Sequence, residues 1–168
     1  MPQLPRFESV QLIYRASSNG WENKRFHEIC DDIGPTVVIA KSKAGKVFGG
    51  YASVSWHSGF GDYKVDSDAL LFSIDLRQIY RPTKVSCAIF CDSGYGPSFG
   101  CQSLIINSNL ENGSYCYTKG NYNSYFDIPE EPKSHNNVVT GEGSKQKAAP
   151  EKYFTCVEYE VYSVNLMG

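Results

Sequence analysis

The sequence is short of most features that would mark a membrane, secreted or nucleic-acid-binding protein. Its 168 residues contain no run near the roughly 20 apolar residues a spanning helix needs. Direct membrane insertion is therefore not expected. The opening, MPQLPRFESV, carries prolines and no apolar stretch, unlike a secretory leader, and a cytoplasmic location is the expectation. Lysine and arginine are scattered, and the formal net charge is -2. The basic stripe of a nucleic-acid binder is missing, so no nucleic-acid partner is expected.

Cysteine is present but argues for little chemistry. The six cysteines, at 30, 87, 91, 101, 116 and 156, are even in number. Without a leader, and in a chain long enough to fold unstapled, they read as free thiols. Several lie in apolar runs such as VSCAIFC and FTCVEY, where a buried thiol behaves as a small hydrophobe. Cys87, Cys91 and Cys101 could supply thiolates to a metal. In a strand, however, 87 and 91 stand about 13 Å apart, too far for one tetrahedral ion. Asp66 and Asp68 do not begin a calcium loop. No metal and no cofactor is expected. The sequon Asn112-Gly113-Ser114 matters only in a secreted chain.

What the chain does have is tyrosine, twelve of them, a residue suited to strands, half-buried sheet faces and interfaces. The length fits one domain, 1–168, with a core over 11–126 and 153–165 and a surface insert at 127–152. Residues 11–15 read as a strand, followed by turn chemistry at Ser18-Asn19-Gly20. Trp21, Phe26, Ile29 and Cys30 recur at helical spacing, with Glu22, Lys24, Arg25 and Glu28 outward. TVVIAKS and KVFGGYASVSW form a hairpin signal around Lys43-Ala44-Gly45. Residues 58–67 read as a surface loop. DALLFSIDL (68–76) and VSCAIFC (85–91) read as core strands, SLIIN as another, and FTCVEYEVYSV (154–164) as the last. About eight short strands and one or two helices predict a mainly β (α+β) fold, a two-sheet antiparallel β-sandwich with flanking helices.

Catalytic patterns are few. Gly96-Pro97-Ser98-Phe99-Gly100 fits the hydrolase nucleophile motif, and Ser98, Asp127, His135 follow the matching chain order. That motif needs a strand-to-helix turn, and here it leads into a strand. Gly94, Gly96 and Gly100 miss the dinucleotide spacing, and Gly45-Lys46 lacks the rest of a phosphate loop. No enzyme activity is expected. His27 and Asp31, four apart on the helix, can touch. With Glu158 they form a possible polar site. Tyr63, Tyr117, Tyr122, Tyr125 and His135 form a possible interaction surface.

Several landmarks occur in series. Leu12-Ile-Tyr-Arg-Ala-Ser-Ser-Asn-Gly20 precedes Phe26-His27-x-x-Cys30-Asp31-x-x-Gly34-Pro35-Thr36. Then come Lys46-Val-Phe-Gly-Gly-Tyr-Ala-Ser-Val-Ser-Trp56, Asp68-Ala-Leu-Leu-Phe-Ser73, Gly96-Pro-Ser-Phe-Gly100 and Glu158-Tyr-Glu-Val-Tyr162. Their order and spacing resemble the TLDc domain from about residue 11 to 165, as a short member with little of the usual N-terminal helical lead. The resemblance implies a two-sheet sandwich in which Ser98 belongs to a structural turn. It also implies links to protection against oxidative damage and to the peripheral part of the vacuolar-type proton pump. The expected function is a non-enzymatic protein-binding or structural module of a larger assembly, with protein partners expected and a large multi-subunit complex among the candidates. The alternative is an oxidative-stress protective domain with redox-active cysteines, or an enzyme of unknown chemistry.

Overall fold

The structure, a computed structural model, describes residues 5–111, 113–119, 124–129, 136–142 and 152–168. Two six-stranded antiparallel sheets stack face to face. The first runs in the order β1 (Phe7–Arg15), β12 (Cys156–Leu166), β2 (Thr36–Ser42), β3 (Val47–Ala52), β5 (Leu70–Ser73), β6 (Gln78–Tyr80). The second runs β11 (Tyr153–Phe154), β10 (Ser114–Tyr115), β9 (Leu104–Ile105), β8 (Ser98–Phe99), β7 (Ile89–Asp92), β4 (Phe60–Lys64). Two α-helices, α1 (Ala16–Asn19) and α2 (Asn23–Cys30), follow the first strand. The fold is the two-sheet sandwich with flanking helices that the pattern predicts.

Alternation sets the inward faces. In β2, Thr36, Val38, Ala40 and Ser42 are buried while Val37, Ile39 and Lys41 are less so, the period-two pattern of a strand with one covered face. The core between the sheets is aromatic. Trp56 meets Phe99 edge-on at 5.3 Å between centroids, and Phe48 meets Phe154 at 5.2 Å. Each such side chain, fully withdrawn from water, contributes about 1.5–3 kcal/mol. The indole nitrogen of Trp56 donates to Thr36 Oγ1 at 3.0 Å, so its one polar atom is satisfied. Helix α2 turns Phe26, His27 and Cys30 inward, and Phe26 closes the end of the core against Tyr14 and Trp56.

Several elements differ from the sequence reading. The stretch 58–67 is not all loop, because Phe60–Lys64 forms the edge strand β4, pairing with β7. The run 68–76 is strand only over Leu70–Ser73, and an unforeseen strand, Gln78–Tyr80, follows it. Val85–Cys87 is a 3-10 turn, and the strand begins at Ile89. Ser18 and Asn19, read as turn, close helix α1. Within 127–152, Ile128 and Val139 join the main core and Asn137 is buried. The Asn137 side chain donates to Cys116 O at 2.9 Å, and Glu142 accepts from Thr155 N at 3.1 Å.

Candidate functional site

The polar group on α2 assembles as the helical spacing predicts. His27 Nδ1 lies 2.8 Å from Asp31 Oδ1. Its Nε2 faces two backbone carbonyls, Asp92 O at 3.0 Å and Tyr95 O at 2.9 Å. Asp31 Oδ2 accepts from the Ser58 hydroxyl at 2.7 Å. Three acceptors thus surround the imidazole. Ser58 gives its hydrogen to a carboxylate rather than to the histidine, so this is not the order of a nucleophile, base and orienting acid. The group ties α2 to the turn after β7. A hollow of about 250 Å³ lined by Lys24, His27, Glu28, Ser58 and Ser93 lies beside it.

Glu158 stands apart from it. Its Oε1 accepts from the backbone amides of Ser17 and Tyr159, each at 3.1 Å, and no hydrogen bond or ion pair joins it to His27 or Asp31 among the described residues. Helix α1 has no local side-chain cap, and Glu158 of β12 supplies that acceptor across the sheet edge.

Ser98 is fully buried in β8, and its hydroxyl donates to Gly96 O at 2.9 Å. Asp127 is engaged elsewhere, accepting from Arg81 N at 2.7 Å. His135 lies outside the described residues, as does Tyr122. The closeness of Gly96 to Ile106, where an added Cβ would stand 2.0 Å from the carbonyl oxygen, shows what the turn is built for. It lets two backbone segments pass in contact.

All six cysteines are free thiols. Burial pushes Cys30, Cys116 and Cys156 up to about 12 and raises Cys91, which keeps these sulfurs protonated and weakly nucleophilic. Cys101 alone of the six is partly exposed. Among the described residues no cluster of three metal-ligating side chains occurs.

The tyrosines converge in a way that spacing along the chain does not show. Across the second sheet, Tyr63 pairs with Phe90, Phe90 with Ser98, Ser98 with Ile105, Ile105 with Tyr115, and Tyr115 with Tyr153. Directly paired residues share a face. The neighbouring row, Ile89, Phe99 and Leu104, points into the core, so this row lies on the opposite face, where its middle members Ser98 and Ile105 are themselves buried. Rings extend it: Tyr63 meets Phe90 at 5.1 Å and Tyr125 at 6.4 Å, and Phe90 meets Tyr95 at 6.2 Å. Tyr115 meets Tyr153 at 5.2 Å and Tyr117 at 6.3 Å. Burial, and then Tyr153 and Tyr95, raises the Tyr115 hydroxyl above its ordinary value. Lys84 sits over the Tyr125 ring at 5.3 Å and Lys152 over Tyr117 at 5.2 Å. Tyr63, Tyr117 and Tyr125 of the expected interaction surface all lie here. Phe90, Tyr95, Tyr115 and Tyr153 join them and were not legible as a group.

The architecture defines a class: a two-sheet α+β sandwich whose glycine-rich turn at 96–100 is a buried joint between strands. Within that class, the TLDc domain matches residues 1–165, and the chain belongs to the TLDc domain family. Comparison with curated proteins finds no match.

Proposed function

We propose that this domain is a non-enzymatic protein-binding module of a larger assembly, and that it docks through the outer face of its second sheet. The observation that carries this reading is a pair of aromatic clusters at the two ends of the second sheet, Tyr63, Phe90, Tyr95 and Tyr125 in one and Tyr115, Tyr117 and Tyr153 in the other. Tyr63 and Tyr95 in it are 43% and 36% exposed, enough for a partner to cover. Tyrosine offers a partner large, rigid contact area at low entropic cost, with a hydroxyl to orient it. The rings already pack on one another, so little ordering is left for binding to impose. The vacuolar-type proton pump that the family resemblance implies is one assembly of the right class.

A photoreactive phenylalanine analogue placed at Tyr63 or Tyr95 tests this reading in native extract. Discrete adducts are expected from these positions and not from Phe72, which lies on the outer side of the first sheet. Adducts from Phe72 alone would move the docking surface elsewhere. Point substitutions suit this domain better than removal of 127–152, since Val139 and Asn137 lie in the buried interior.

A further inference from the structure

We propose that the free edge of β1 is a self-association site, where two copies of this chain pair antiparallel about a two-fold axis at Gln11 and join their first sheets into one. Of the four strands that end the two sheets, β1, β6, β11 and β4, β1 is the longest at nine residues. Strands β6 and β11 offer three and two residues. Strand β4 carries Asp62 and Lys64, charges of the kind that keep an edge from pairing. In β1 the stretch Ser9-Val10-Gln11-Leu12 has neither charge nor proline. All four residues are exposed, Val10 at 58% and Leu12 at 39%.

The ladder with β12 fixes which backbone groups are free. Val164 N donates to Pro35 O at 3.1 Å, so the backbone groups of residue 164 point toward β2. Those of Ser163 and Asn165 point the other way, toward β1, because successive residues alternate. Their partners there are Gln11 and Ser9. The N–H and C=O of Val10 and Leu12 therefore face the open edge, since β12 is the one neighbour of β1 among the described residues. Register shifts between Phe7 and Ser9 and between Leu12 and Tyr14 end the regular stretch on each side.

This edge is complementary to itself. With Gln11 opposite its own copy, Val10 lies opposite the second copy's Leu12, and Leu12 opposite its Val10. Each such pair exchanges two backbone hydrogen bonds, which uses every free group of the stretch. The Val10 and Leu12 side chains stand on the outer face, because their β12 partners Val164 and Tyr162 belong to the apolar cluster there. Directly opposed, they cover one another's exposed surface. The two Gln11 amides meet at the axis on the other face and exchange hydrogen bonds. A slip of one residue would set side chains on mismatched faces. A slip of two would put a free residue opposite Glu8 or Tyr14, at a bulge. The two-fold axis closes the contact at two copies rather than a fibre. So short a ladder makes a weak dimer, formed at high concentration or where an assembly holds two copies close. It involves the first sheet alone, and stands or falls independently of docking on the second.

Sedimentation equilibrium of the whole 168-residue chain, from micromolar to millimolar concentration under reducing conditions, should show monomer and dimer in exchange. Hydrogen exchange at the Val10 and Leu12 amides should slow with concentration, while Ser9 and Gln11, already bonded to β12, should not change. Val10→Lys and Gln11→Glu, both at exposed positions, should each weaken the dimer about tenfold with unchanged thermal midpoints. Mild oxidation reads the register. Gln11→Cys sets its two copies across a close pair, with Cα atoms about 4.5 Å apart, and should link the dimer. Two copies of Ser9→Cys stand about 13 Å apart and should link no more than the unaltered chain. A mass that stays monomeric, equal linking at 9 and 11, or a dimer indifferent to both charged variants would each overturn the proposal. So would adducts to other proteins from a photoreactive residue at Gln11 in native extract while the pure chain stays monomeric, a result that gives the edge to a foreign strand.

Discussion

Phe99 of one sheet presses its ring tip onto Gly50 of the other so closely that a Cβ at position 50 would lie 2.5 Å from Cζ and 2.7 Å from Cε1. Both residues belong to landmarks met in the sequence, Gly49-Gly50 in β3 and Gly96-Pro-Ser-Phe-Gly100 at β8. Their physical meaning is shared: the glycine opens the space into which the turn delivers its phenylalanine.

Gly50→Ala should therefore destabilise the domain by about 1–3 kcal/mol through overpacking, because Phe99 is already fully buried against Trp56 and has nowhere to retreat. Phe99→Leu alone loses packing. Combined, the two should cost less than their sum, with a coupling of about 0.5–3 kcal/mol in urea denaturation. Strict additivity would mean that the contact is not what requires glycine at 50.

How much of this was legible depended on where the determining contacts lie. Strands β2 and β3 could be read from their own residues, β2 from its β-branched run with one face buried and β3 from its apolar and aromatic residues just after the turn at Lys43-Ala44-Gly45. Strand β4 could not. Phe60-Gly-Asp-Tyr-Lys64 has no β-branched residue and one partner strand, and only its register with β7 makes it a strand. The polar pair His27 and Asp31 was visible because helical spacing alone brings them together. The aromatic row was not, because Tyr63, Phe90, Tyr115 and Tyr153 come from four strands joined only by lateral pairing. Glu158 was misgrouped for the same reason, its partner Ser17 being 141 residues away.

The His27 network predicts a stability effect. His27→Phe keeps a ring of similar volume but strips a hydrogen-bond partner from Asp31 and from the carbonyls of Asp92 and Tyr95. A loss of about 2–4 kcal/mol is expected, against a smaller one for Asp31→Asn, which retains an acceptor for Ser58. Equal stability of His27→Phe and the unaltered protein by urea denaturation would show that the network does not hold α2 in place.

The buried thiols predict an alkaline limb. Cys30, Cys116 and Cys156 rise from an ordinary 9.0 to about 12. Below pH 9 both folded and unfolded chains hold these protons, and the stability they contribute is complete. Between about 9 and 12 the unfolded chain releases protons that the folded one keeps. Stability then falls as pH rises, with a slope approaching about 1.4 kcal/mol per pH unit for each thiol. Urea midpoints measured under reducing conditions should show this decline, and Cys116→Ala should flatten it by about one proton. An unchanged slope in that variant would remove Cys116 as a contributor.

Glu158 provides the clearest separation between a cap and a member of a shared polar site. Its carboxylate supplies helix α1 with the acceptor that Arg15, at the N-cap position, does not. Glu158→Ala should cost about 1–2 kcal/mol and speed hydrogen exchange at the Ser17 amide, whereas Glu158→Gln retains an acceptor oxygen and should cost less. Because no hydrogen bond or ion pair joins it to His27 or Asp31, Glu158→Ala and His27→Phe should add within about 0.5 kcal/mol. A coupling well above that, with Ser17 exchange unmoved, would mean that the carboxylate communicates with the histidine and that the two belong to one site after all.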